Sequence, residues 1–76
     1  MHNERRKELL IIFDALASLS IKLKNQARLE ENALNNIPEQ LQMSERADRM
    51  QETVDQLEEA CSLIEEALDC ITAARE

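Results

Sequence analysis

Three pairs of adjacent glutamates are the residues of this chain whose type most suggests acid/base chemistry. The pairs are Glu30-Glu31, Glu58-Glu59 and Glu65-Glu66. A catalytic acid and base must converge on one substrate, whereas neighbours on a helix point about 100° apart. The pairs therefore predict charge that faces solvent rather than an acid/base site.

The sequence also gives little support for a metal site or for a catalytic nucleophile. His2 is the single histidine, and carboxylate metal sites in helical bundles use Glu-x-x-His pairs. Cys61 and Cys70 are separated on a helix by half a revolution and about 13.5 Å of rise, which excludes a disulfide between them. We expect no enzyme, no catalytic residue, no metal ligand and no cofactor, with two free, mostly buried thiols that suit a reducing cytoplasm.

Composition excludes further classes of function. The 76 residues contain no glycine, which phosphate-binding loops, nucleophile elbows and Rossmann turns require. The net charge of −7 comes from residues 45–76, where ten acids face three bases, whereas residues 1–44 hold six of each. An acidic surface repels a phosphate backbone, and Phe13 alone offers no platform for base stacking. We therefore expect no direct binding of nucleic acid.

The acids of the second half have two interpretations. One is a solvated face that keeps the protein soluble. The other is an acidic docking face for a basic partner protein, formed by residues at helical spacing: Asp48, Glu52, Asp55, Glu59 and Glu66.

Targeting signals are weak. The apolar run at residues 9–13 ends at Asp14, and a secretory signal needs about 7–15 apolar residues. No stretch has the length of a membrane span, so we expect a cytoplasmic protein with no membrane partner.

Apolar spacing of three and four residues predicts two helices, over residues 4–35 and 45–74, joined by a loop over 36–44. The predicted inner face of the first helix is Leu9, Ile12, Leu16, Leu19, Leu23, Gln26, Glu30, Ala33 and Ile37. That of the second is Ala47, Met50, Val54, Leu57, Cys61, Ile64, Leu68 and Ile71. A short loop makes the helices antiparallel, so residues 1–76 form one all-α, coiled-coil-like hairpin. Facing residues have numbers that sum to 80, from Leu9 with Ile71 to Ala33 with Ala47.

The loop carries recognisable turn chemistry. Asn35 and Asn36 can leave the first helix in the left-handed region, Pro38 can begin a short turn, and Ser44 is a good N-cap. Three apolar residues are predicted to cover the open end of the hairpin: Ile37, Leu41 and Met43.

Each helix also has a second apolar stripe in its terminal half. A two-helix hairpin covers one stripe per helix, so these residues predict one contiguous interface. The first stripe is Leu10, Phe13, Ala17 and Ile21; the second is Leu63, Ala67, Cys70 and Ala74, preceded by Ala60. Because so small a hairpin is short of core, we expect a homodimer that forms a four-helix bundle. The alternative is that a different protein covers the patch.

Residues 36–46 read Asn-Ile-Pro-Glu-Gln-Leu-Gln-Met-Ser-Glu-Arg and precede Met50, Val54-Asp55 and Leu57-Glu58-Glu59-Ala60. This pattern resembles a group of small uncharacterised helical-hairpin proteins of Gram-positive bacteria, their phages and mobile elements. The resemblance covers about half of the chain. It implies a cytoplasmic accessory protein, and no reaction, cofactor or binding residue.

Three functions stay open at this point. The leading one is a non-enzymatic, self-associating hairpin that acts as an interaction or scaffold module. The second is an inhibitor of a host defence protein that acts through the acidic helix. The third is a sponge that holds a small ligand between subunits near Gln26, Arg28 and Glu30; the simpler interpretation of Gln26 and Glu30 is a polar layer that fixes register.

Overall fold

The computed structural model describes residues 2–76. Helix α1 spans Asn3–Asn35, a 3-10 turn spans Glu39–Leu41, and helix α2 spans Glu45–Arg75. The helices pack side by side in a rod of 59 × 15 × 12 Å. This confirms the all-α hairpin, and each helix extends one residue beyond its prediction at its outer end. None of the helices in residues 2–76 is long and apolar enough to cross a membrane.

Side chains cap the amino ends of both helices. Ser44 is the N-cap of α2, as predicted, because its Oγ accepts a hydrogen bond from the backbone N–H of Ala47 at 3.2 Å. A cap of this kind stabilises a helix by about 1 kcal/mol. His2 caps α1 in the same way, since its Nδ1 accepts from the N–H of Glu4 at 3.3 Å.

The end of α1 differs from its prediction. Asn36 has φ −98° and ψ 4°, and none of the described residues has a positive φ, so the left-handed exit at Asn35 or Asn36 is wrong. The last turn tightens instead: the N–H of Asn36 reaches the carbonyl of Ala33 at 3.3 Å, and that of Ile37 reaches Leu34 at 3.2 Å. These bonds satisfy carbonyls at the helix end without a left-handed residue.

The connection makes the predicted turn but does not close the hairpin. The N–H of Leu41 donates to the carbonyl of Pro38 at 2.8 Å. Ile37 is half-buried as predicted, whereas Leu41 is 51% and Met43 94% exposed, so the prediction that they cover the open end is wrong. A turn of three residues is too short to fold both side chains back over the helix ends.

The inner face of α2 is confirmed at every predicted position. Ala47, Val54 and Cys61 are buried, and Val54 is only 2% exposed. The other predicted positions are half-buried: Met50, Leu57, Ile64, Leu68 and Ile71.

The inner face of α1 is rotated from the prediction. Five predicted positions are right, since they are half-buried: Leu9, Leu16, Leu23, Glu30 and Ile37. The four that alternate with them are exposed, so the prediction is wrong there: Ile12, Leu19, Gln26 and Ala33. The next residue along the chain lies inside in each case: Phe13, Ser20, Ala27 and Leu34. Four of the eight predicted facing pairs are therefore wrong as well.

The rotation follows from the sizes of the side chains. Phe13 and Leu34 bury more apolar surface than Ile12 and Ala33 would. Ala27 in place of Gln26 also spares the inner face an amide that would need a hydrogen-bond partner. The small residues Ser20 and Ala27 are both buried, seven positions apart, as Ala47, Val54 and Cys61 are on α2.

Candidate interaction surfaces

An ion pair identifies one side of the hairpin. Lys24 Nζ on α1 bonds to the carboxylate of Glu65 on α2, so the helix sides that carry them face the same way. Arg28, Glu31 and Glu58 lie on that side, around a shallow cavity of about 330 Å³. We call this side the charged flank. Helical periodicity places positions 10, 14, 17 and 21 of α1 on it as well.

The ion pair itself contributes little to stability. The hydrogen bond to Glu65 and the negative charge of Glu65 raise the pKa of Lys24. Stability from a raised lysine pKa is present at neutral pH and is lost only as the pH climbs through that raised value. Both side chains are about half exposed, where solvent screens the attraction.

The opposite side of the hairpin is apolar in its terminal half, and we call it the apolar flank. Helical periodicity places three residues of α1 and five of α2 on it: Ile12, Ala15 and Leu19, with Ala60, Leu63, Ala67, Cys70 and Ala74. Ile12 is 50%, Leu19 56% and Leu63 53% exposed. On this flank, no charged residue lies between Ile12 and Leu19 of α1 or between Ala60 and Ala74 of α2. Ala33 and Arg46, which periodicity puts on the same flank, line one cavity, which supports the assignment.

The predicted oligomer interface is divided by this arrangement. Leu10 and Ile21 are exposed on the charged flank, Ala17 is half-buried at the edge of that flank, and Phe13 is half-buried on the inner face. The α2 stripe of residues 60–74 lies on the apolar flank. The prediction that the two stripes form one contiguous patch is therefore wrong. The cause is the rotation of α1, which brings Ile12 and Leu19 to the α2 stripe in place of Leu10 and Ile21.

The residues of the predicted acidic docking face form an exposed stripe on α2, directed away from α1. All five of its predicted residues are exposed: Asp48, Glu52, Asp55, Glu59 and Glu66. Asp69, which was not among the predicted residues, is exposed at the next helical position and extends the stripe; its spacing of three residues from Glu66 was the available signal. We call these six residues the acidic stripe.

The polar residues near the middle of α1 do not form a pocket within one chain. Glu30 is half-buried on the inner face, whereas Gln26 and Arg28 are exposed. Two positions apart on a helix, Gln26 and Arg28 lie on opposite flanks. A ligand could not touch all three side chains of one subunit.

The connection borders a cavity that the sequence did not predict. It has a volume of about 390 Å³ and lies between the end of α1 and the start of α2. The apolar loop residues were the available signal, although we expected them to fill this space. The lining residues are Ala33, Asn36, Ile37, Pro38, Leu41, Ser44, Arg46 and Met50.

The two cysteines differ in exposure. Cys61 is buried on the inner face as predicted, but Cys70 is exposed, so the expectation of two mostly buried thiols is wrong for Cys70. Cys70 lies on the apolar flank, outside the contact between the helices. Among residues 2–76, no three His, Cys, Asp or Glu side chains are grouped so that they could hold a metal ion.

The resemblance to small helical-hairpin proteins of Gram-positive bacteria, phages and mobile elements depends on residues 36–46 and on the acidic helix that follows. It stays a prediction. The three comparisons, with protein-family models, with curated proteins and with solved structures, gave no match to this chain.

Proposed function

We propose that this chain is a non-enzymatic helical hairpin that self-associates and serves as a protein-interaction or scaffold module. The apolar flank carries the proposal, because three large apolar side chains on it are half exposed: Ile12, Leu19 and Leu63. Contiguous exposed apolar surface on a small protein marks an interaction site. The proposed assembly is a dimer, arranged as a four-helix bundle.

The thinness of the hairpin supports the same proposal. The radius of gyration is 17.4 Å, whereas a compact chain of this length has about 11 Å. The hairpin exposes 5958 Å², and a compact monomer of 8.8 kDa exposes about 4800 Å². Small domains with so little core commonly gain stability by oligomerising.

Light scattering coupled to gel filtration tests self-association directly. At micromolar concentration we expect a mass of twice the 8.8 kDa of one chain. Because dimerisation follows mass action, dilution should lower the mean mass toward that of one chain. A single-chain mass that persists up to about 100 µM would contradict the proposal, since it implies a Kd too weak for a stable interface.

The acidic stripe favours a second function, inhibition of a basic host protein. Six exposed carboxylates on one helix face would give fast, salt-dependent association with a positively charged groove. A lysine-rich helical peptide is a suitable probe, with binding measured between about 50 and 300 mM salt. We expect the double variant Asp55→Asn, Glu59→Gln to bind it more weakly.

A matched variant controls for total charge in that experiment. Glu31→Gln with Glu58→Gln removes two charges from the charged flank and leaves the acidic stripe intact. Equal losses of peptide affinity in both double variants would show that net charge acts alone, and would contradict a docking role for the stripe.

The proposed setting is the cytoplasm, because two free thiols suit a reducing compartment. The resemblance adds the proposal of an accessory protein of a phage or mobile element. The third function, a small-ligand sponge between subunits, would have to draw Gln26, Arg28 and Glu30 from different chains.

A further inference from the structure

We infer that a second copy of this chain covers the apolar flank in one particular way: the two hairpins run antiparallel, only their terminal halves overlap, and their loop ends point apart. The inference rests on the proposed self-association. It adds which flank is covered, in which direction, and what stays in solvent.

The flank is selected by charge. Between Ile12 and Leu19 on α1, and between Ala60 and Ala74 on α2, the apolar flank carries no charge. The terminal part of the charged flank also has exposed apolar residues, namely Leu10 and Ile21, but Asp14 and Glu65 share it by helical periodicity. Burying Asp14 without a partner, or taking the Lys24–Glu65 ion pair out of water, would oppose association.

The area available on the hairpin is sufficient for this contact. The chain exposes roughly 1200 Å² more than a compact monomer of its mass. A stable interface of standard size takes about 800 Å² from each partner. The elongated hairpin therefore exposes surplus surface that is larger than one partner's share of such an interface.

The distribution of side chains along the flank fits a twofold axis that crosses the hairpin at one level. On α2 the alanines Ala60 and Ala74 lie at equal distances on either side of Ala67. On α1, Ile12 and Leu19 are centred at about the same level of the rod. A twofold contact must be complementary to itself, and this symmetric pattern satisfies that condition when each helix crosses its own copy antiparallel. The alanine side chains then let the two α2 helices approach closely.

Charges outside the apolar region also favour the antiparallel direction. About this axis, Lys22 on the flank of one copy comes to the level of Glu8 of the second copy, an attractive pair, while Arg5 beside Glu8 lies farther toward the end of the rod. Arg46 and Arg49 lie farther toward the loop, beyond the overlap. In a side-by-side dimer with both loops at one end, the interface would gather Lys22 and Arg46 from both copies, whereas Arg49 is already paired with Glu45 of its own helix at 3.7 Å.

A matched pair of variants tests the choice of flank. Leu63→Glu places a charge on the apolar flank, and Ile21→Glu places one on the charged flank; both positions are more than half exposed, so neither should unfold the hairpin. We expect Leu63→Glu to give the mass of one chain where Ile21→Glu keeps the mass of two, with equal helix content by circular dichroism. The reverse result would overturn the inference and leave self-association standing. A wild-type chain that is monomeric would overturn both.

The distance between the loop ends tests the direction. Met43 is 94% exposed at the tip, so a nitroxide on Met43→Cys, in a Cys61→Ala, Cys70→Ser background, reports the separation of the tips. The tip is about 25 residues from the axis, so antiparallel copies place the labels about 75 Å apart at 1.5 Å per residue. Side-by-side copies would place them within about 20–30 Å, two to three helix diameters. A strong dipolar signal at the short distance would refute the antiparallel arrangement.

Discussion

Replacing Val54 by aspartate should unfold the hairpin at room temperature. Val54 is 2% exposed on the inner face of α2, with no cationic side chain on that face opposite it in α1. An ionised carboxylate there loses its water without gaining a partner, which costs more than about 3 kcal/mol. Domains this small have only about 3–5 kcal/mol of stability from one core. Circular dichroism at 222 nm should therefore show the loss of most helix.

Thr53→Asp provides the control for that experiment. Thr53 is the preceding residue and is exposed, so the same charge enters the same helix without being buried. We expect the free energy of unfolding to change by less than about 0.5 kcal/mol. Equal unfolding by both substitutions would show that added charge, rather than burial at Val54, is responsible.

Leucine at Ala27 should destabilise the hairpin, whereas leucine at Ala33 should not. Ala27 is 8% exposed between the helices, and the extra carbons of leucine would force the helices apart. Overpacking of this kind typically costs about 1–3 kcal/mol. Ala33 is exposed, and leucine is nearly as good a helix former as alanine. Urea midpoints at one protein concentration measure the difference.

This pair of substitutions tests the rotation of α1, because the apolar spacing alone predicts Ala33 on the inner face. If Ala33→Leu lowered the urea midpoint and Ala27→Leu did not, the inner face predicted from the apolar spacing would be correct. That result would also return Ile12 and Leu19 to the core and remove them from the apolar flank.

The sequence suffices to predict α2 because its pattern has one solution. Its inner face is apolar over its whole length, from Ala47 to Ile71, whereas its second apolar stripe is confined to residues 60–74 and acids occupy the remaining outer positions from Asp48 to Asp69. Its N-cap at Ser44 and the turn at Pro38 are equally local, since each depends on one side chain and its immediate neighbours.

The pattern of α1 allows two inner faces. They share every second position, and at the other positions one of them uses the next residue along the chain. Ile12 and Phe13 are both apolar, and a spacing rule prefers Leu19 to Ser20. Only the contact with α2 decides, because small residues on both helices allow a close approach that larger ones would prevent. Local periodicity carries no information about that contact.

Among the surfaces, too, those that depend on one helix could be predicted, and those that depend on how the two helices pack could not. The acidic stripe depends on the period of α2 alone, and all its predicted positions are exposed. The apolar flank depends on both helices, so its α2 members are predicted and its α1 members are not. The cavity at the connection depends on where Leu41 and Pro38 point, which no spacing rule specifies.

The buried residues of the hairpin recur at intervals of one heptad: Ser20 and Ala27 on α1, and Ala47, Val54 and Cys61 on α2. Sliding one helix by seven residues, about 10.5 Å, would bring small side chains against small side chains again. The core by itself therefore discriminates weakly between neighbouring alignments. The connection, residues 36–44, holds the end of α1 close to the start of α2 and so prevents the slide. The short turn that begins at Pro38 therefore sets the alignment of the two helices along the whole rod.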